Sequence, residues 1–154
     1  MRLGLSERVA IEAGIYRRDS LTKIAKDTGI SRKSLSKEIR QNRTLAPAAK
    51  FNGKDCRFAA ECTRQCVCGD FLCRQECVFC RKIDCRTLCP AYSPLSCMRI
   101  QSPPYVCNVC QLRRDCVCDR AYYVATQAHA VAMRRYSESV SYTHLRAHET
   151  EADL

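Results

Sequence analysis

All 14 cysteines of this 154-residue chain fall between Cys56 and Cys118. They are Cys56, Cys62, Cys66, Cys68, Cys73, Cys77, Cys80, Cys85, Cys89, Cys97, Cys107, Cys110, Cys116 and Cys118. Sulfur at this density is either paired as disulfides in an oxidising compartment or carried as thiolates on metal in a reducing one. The opening run from Met1 to Arg8 has no apolar stretch of secretory length, so the expectation is reduced thiols in a cytoplasmic protein. A secreted disulfide scaffold is the competing class. Close pairs can offer two sulfurs to one tetrahedral zinc, and two pairs complete a structural site. Cys66/Cys68, Cys77/Cys80, Cys107/Cys110 and Cys116/Cys118 are best placed for this. Fourteen sulfurs suffice for about two to three structural zinc ions. No uniform repeat says which pairs share an ion.

A metal is also what this stretch needs in order to fold. Its large apolar residues, Phe58, Phe71, Leu72, Phe79, Ile83 and Leu88, are scattered without a period, and a weak core needs staples. Zinc on four thiolates carries about −2, so three filled sites would turn the formal +4 of residues 51–118 into about −2. No compact ferredoxin-like spacing points to an iron–sulfur cluster. A Cys-x2-Cys outside a strand–helix context is poor evidence for redox catalysis. No residue is assigned a catalytic role.

The second set of chemically capable residues is basic. Residues 1–50 carry 12 Lys/Arg against 5 Asp/Glu, whereas residues 119–154 carry 4 against 5. Such an excess suits phosphate neutralisation, because each cation placed at a nucleic-acid backbone releases counterions. Arg32, Lys33, Ser34, Ser36, Lys37 and Arg40 occupy the outward positions of a predicted helix over 32–41, with Leu35 and Ile39 facing in.

Three predicted helices position that surface. Ser6 is read as the cap of the first, with Val9, Ala10, Ala13 and Ile15–Tyr16 as its apolar positions and an end near Arg17–Arg18. Ser20 starts the second, which Gly29 stops, and Ser31 caps the third. Ala25, Gly29, Ile30 and Leu35 have the spacing of a helix-turn-helix. On that reading the third helix enters the major groove of double-stranded DNA. Arg32, Lys33, Ser34 and Lys37 would reach base edges, and Ser20, Thr22, Arg40 and Arg43 would reach phosphates. Ser31 and Ser36 complete the expected DNA-binding set. Glu38 is expected to pair locally, with Ser34 or a nearby arginine.

The expected fold is therefore mostly α. It comprises a helix-turn-helix domain over 1–45, a linker over 46–55, an irregular zinc-stabilised region over 56–118 and a helix over 119–139. That last helix, with Tyr122, Tyr123, Ala125, Ala128, Ala132 and Tyr136 on one face, is expected to pack against the cysteine region. His129 reads as a packed or solvated imidazole in preference to a ligand. No run is long enough to span a bilayer. From Val140 on, Ser141-Tyr142-Thr143-His144-Leu145-Arg146-Ala147-His148-Glu149-Thr150 resembles a translated sequencing adapter, so 140–154 is expected to be a non-native tail. His144 and His148 would then have no role.

Taken together, Leu5-Ser6-Glu7-Arg8 with Ile11-Glu12, Ile24-Ala25-Lys26-Asp27 with Gly29, Ser36-Lys37-Glu38-Ile39-Arg40, and Pro103-Pro104-Tyr105-Val106-Cys107-Asn108 with Cys110 resemble a known family. It is the N-terminal part of bacterial insertion-sequence transposases of the IS-thirty type. The resemblance covers residues 3 to about 139. It implies binding to the terminal inverted repeats of the element, with a homo-oligomer allowed in the full-length protein. It also implies a downstream RNase-H-like domain that cuts and joins DNA with three carboxylates. Nothing here matches that domain, so a truncated transposase without catalytic activity of its own is expected. A stand-alone zinc-stabilised helix-turn-helix transcription regulator is the alternative.

Overall fold

A computed structural model describes residues 3–47 and 54–151, with side chains through Ser139. The described chain is mostly helical, with one two-stranded sheet. Helices α1 (Leu5–Tyr16), α2 (Leu21–Thr28) and α3 (Arg32–Asn42) come first, followed by strand β1 (Thr44–Ala46). The cysteine-rich stretch contains short 3-10 turns, two single-turn helices, α4 (Cys85–Leu88) and α5 (Met98–Gln101), and two isolated β-bridges, Cys56 with Pro94 and Gln65 with Glu76. Strand β2 (Arg120–Tyr122) and the long α6 (Ala125–Glu151) complete the order. Among the described residues no helix is long and apolar enough to cross a membrane.

Local signals explain the ends of the first helices. Ser20 Oγ accepts the Lys23 amide at 3.2 Å and Ser31 Oγ accepts the Ser34 amide at 3.1 Å, each satisfying a donor that the helix leaves free. Gly29, at φ 67°, closes α2 in a left-handed conformation, with the Ile30 amide returning to the Ala25 carbonyl. At the end of α1 Arg18 takes the same position at φ 61°, and Asp19 N–H bonds back to Gly14 O. Ser6 does not cap α1. The chain is already helical at Leu5, Gly4 is the cap residue, and the Ser6 hydroxyl donates to Glu7 Oε2 instead.

The main core is formed by Ile11, Ile15, Leu21, Ile24, Ala25, Ile30, Leu35 and Ile39 with Val106, Tyr123 and Ala128. The buried stripe of α1 therefore runs through Arg8, Ile11 and Ile15, while the expected Val9 and Tyr16 are exposed. A buried arginine in the stripe hid its period. Gly14 lets α1 and α2 approach: a Cβ there would lie 2.7 Å from Ile24 Cγ1.

The predicted final helix begins later than expected. Residues 120–122 form β2, which pairs antiparallel with β1 in the register Thr44↔Tyr122, Leu45↔Ala121 and Ala46↔Arg120. Only after the buried Tyr123 does α6 start, and the Glu12 carboxylate from α1 accepts its Ala125 amide at 2.9 Å, at the positive end of the helix. The chief contacts of α6 are with α1 and α3, and not with elements of the cysteine region as the sequence suggested. The cysteine-rich stretch is thus an excursion that leaves the helical unit after β1 and returns at β2.

Within the excursion Asp55, 3% exposed, takes the Arg86 guanidinium and, at 2.8 Å, the Tyr92 hydroxyl. Burial, and then the bond to Asp55, push Tyr92 up to about 12. The expected linker over 46–55 is consequently structured at both ends, in β1 and at Asp55, while 48–53 lie outside the described residues. The expected tail is helical in backbone to Glu151, whereas the side chains of His144 and His148, and residues 152–154 altogether, lie outside the described set.

The close contact of α1 with α2 predicts that Gly14→Ala is destabilising. The gain of about 1 kcal/mol in helix propensity is outweighed by an overpacking cost of about 1–3 kcal/mol. Chemical denaturation should show a lower midpoint.

Candidate nucleic-acid interface

Helix α3 divides cleanly into two faces. Leu35 and Ile39 are fully buried against α1 and α2, and they hold the helix. Arg32, Lys33, Lys37 and Arg40 lie exposed on the opposite side, and among the described residues none of these four forms an ion pair. Ser36, Gln41, Arg43 and Tyr105 join them around an open groove of about 950 Å³. A groove with four uncompensated cations and several hydrogen-bond donors has the chemistry to take a polyanion.

Glu38, the one acid on α3, is turned away from this groove. Its carboxylate accepts Arg8 Nε at 2.7 Å, Arg8 Nη2 at 3.3 Å and the Tyr123 hydroxyl at 3.1 Å. Arg8 also donates to Leu3 O at 2.6 Å and lies 3.1 Å from His129 Nδ1. The local pairing expected of Glu38 is therefore replaced by a long-range one with α1 and the segment before α6. His129 is part of this packed polar cluster. Burial, and then the neighbouring Glu38 charge, raise the Tyr123 phenol well above its ordinary value and keep it a hydrogen-bond donor.

The other expected contact residues divide by position. Thr22 is exposed, while Ser20 and Ser31, also exposed, have their hydroxyls engaged in capping. Ser34 Oγ accepts from Ser31 Oγ at 2.9 Å. Arg43 lines the groove, yet its Nη1 donates to the carbonyls of Ile100 at 2.7 Å and Tyr105 at 2.6 Å. It ties α3 to the cysteine-rich excursion, a role that a residue count along α3 does not reveal. Tyr105 joins the groove from the cysteine-rich excursion, with no signal in the sequence around it to place it there.

None of the 14 cysteines is joined to another in a disulfide. They gather in three neighbourhoods. Cys66 has Cys73, Cys68 and Cys77 around it, and Cys68, Cys73 and Cys80 line one cavity of about 590 Å³. Cys56, Cys62 and Cys89 line another of about 360 Å³, and Cys85 lies close to Cys89, Cys77 and Cys62, so this group adjoins the first. Cys97, Cys107, Cys110, Cys116 and Cys118 form the third. Burial, followed by the nearby thiols, pushes Cys85 and Cys118 up to about 11. Among the described residues no three Cys, His, Asp or Glu side chains come together tightly enough to hold a metal ion.

No protein-family model matches the chain, and neither curated proteins nor solved structures give a match.

The inward Glu38 contacts yield a stability prediction. Glu38→Leu leaves Arg8, 4% exposed, as a buried charge without its carboxylate and should cost about 3–5 kcal/mol. Adding Arg8→Met should recover much of that loss, as urea denaturation of the two variants would show.

Proposed function

We propose that the chain binds double-stranded DNA through α3, acting as the recognition helix of a helix-turn-helix formed with α2. The observation that carries this reading is the partition of α3: four cations on the exposed face, none in an ion pair among the described residues, and its single acid withdrawn to Arg8. Residues at the start of a recognition helix meet base edges, so Arg32, Lys33 and Lys37 are assigned to bases and Arg40 to a phosphate. The resemblance in sequence implies the target: the terminal inverted repeats of an insertion sequence, bound by the N-terminal part of an IS-thirty-type transposase.

The thiol neighbourhoods support a structural role for zinc in the excursion. The 14 cysteines, all within 56–118, suffice in number for three four-sulfur sites. Bound zinc would replace the thiol protons and supply the cross-links that an apolar core would otherwise provide. Phe71 and Leu72, almost wholly exposed, contribute nothing to such a core.

Selection of bound sequences from a random duplex pool, followed by titration at several salt concentrations, tests the DNA reading. Affinity should fall steeply with salt, because cations of α3 placed against the duplex release counterions from its phosphates. Lys37→Ala should lose about 1–3 kcal/mol on the selected site and less on mixed-sequence DNA. Salt-insensitive binding, or no selection at all, defeats the reading. Selected sites that match flanking inverted repeats in the source genome favour the transposase over a transcription regulator.

For the metal, protein purified under reducing conditions should carry about three zinc ions. Uptake should release protons and tighten as pH rises from neutrality toward about 11, because burial holds the Cys85 and Cys118 thiols protonated. A metal-free protein with unchanged stability removes zinc from the account.

A further inference from the structure

We propose that Tyr105 makes a second DNA contact, to the sugar–phosphate backbone beside α3, so that the cysteine-rich excursion forms one wall of the binding surface. This rests on the reading of α3 given above and extends it to a residue outside the helical unit.

Tyr105 is the one groove-lining residue that does not come from positions 32–43. Its ring lies under the Arg40 guanidinium, 5.5 Å from ring centroid to Cζ, within the range in which a cation is attracted to an aromatic face. The pairing holds Arg40 at the rim of the groove without neutralising it, as a carboxylate would. The phenol can donate to a phosphate oxygen while adding no negative charge to repel it. No described residue hydrogen-bonds the Tyr105 hydroxyl.

The backbone supports a purpose for the side chain. Tyr105 sits at φ 67°, a region costly for a bulky aromatic and easy for glycine or asparagine. It is held there by its own amide bond to Ser102 O at 2.8 Å and by Arg43, which grips both its carbonyl and that of Ile100. Arg43 is thus a positioning residue that fixes this wall against the last turn of α3. Recognition helices present their first turns to bases, and Arg40 and Tyr105 lie toward the other end, where the backbone of the duplex passes.

The test uses the full chain, prepared under reducing conditions, with its selected duplex and with mixed-sequence duplex DNA as probes. Tyr105→Gly relieves the backbone and removes the ring, Tyr105→Phe removes only the hydroxyl, and Lys37→Ala is the comparator on α3. Tyr105→Gly should weaken binding about tenfold, and to the same degree on both probes, as a backbone contact requires; Tyr105→Phe should weaken it about threefold. Hydroxyl-radical footprints of both variants should lose protection on one flank and keep it at the centre. If both bind as tightly as the parent with an unchanged footprint while Lys37→Ala weakens binding, the second wall is disproved and the α3 reading stands. If Lys37→Ala is also without effect, the α3 reading falls and this proposal falls with it. Should Tyr105→Gly fail to fold, Tyr105→Phe decides alone: intact flank protection overturns the contact.

Discussion

The buried ion pair of Arg8 with Glu38 is the constraint around which the molecule is arranged. Charges removed from water are tolerated only when their hydrogen-bonding capacity is met. Meeting it here takes groups from four places: Leu3 before α1, Arg8 within α1, Glu38 on α3, and Tyr123 with His129 from the C-terminal segment. The arrangement fixes the rotation of α3 about its axis. Once Glu38 points inward beside Leu35 and Ile39, helical periodicity leaves Arg32, Lys33, Lys37 and Arg40 no place but the outer face. The basic character of the groove is therefore a product of core geometry as much as of composition.

The same cluster explains why α6 belongs with the first three helices. Tyr123 is buried between Glu38 on one side and Asn108 on the other, whose side-chain amide bonds both Tyr123 O at 2.8 Å and Tyr123 N at 2.9 Å. Cys107 N–H adds a bond to Ala121 O at 2.6 Å. The segment from Val106 to Asn108 thus docks the end of the excursion onto β2, and with Val106 in the main core it links the thiol-rich part mechanically to the helices.

Features written in local chemistry were legible in the sequence. Ser20, Gly29 and Ser31 punctuate the helices through hydrogen bonds or backbone conformations that involve only neighbouring residues, and Leu35 and Ile39 follow a plain helical period. What was not legible depends on distant partners. Glu38 finds Arg8 thirty positions away, and a charged residue in the α1 stripe displaced the apparent apolar face toward Val9 and Tyr16. The three-residue strands β1 and β2 have meaning only as a pair, so 119–122 read as helix. Tyr105 reaches α3 through a turn near Pro103 and Pro104, and nothing in its own surroundings in the sequence points there. The cysteine groups follow chain crossings such as the bridge of Gln65 with Glu76, which spacing alone does not encode.

The β1–β2 ladder has one consequence for how such a chain can vary. Because the two strands are neighbours, the excursion departs and returns at points separated by about one strand spacing, roughly 4.8 Å. Chain length between them is then nearly free of geometric obligation, since lengthening a closed loop costs only a logarithmic entropy. Thiol-bearing turns can be added or lost between the fixed points without shifting α3 or α6. Those points are Asp55 with Arg86 and Tyr92, and the stretch from Ile100 to Asn108, which Arg43 and Tyr123 grip. The excursion is a pendant of adjustable size hung from a short rigid clasp.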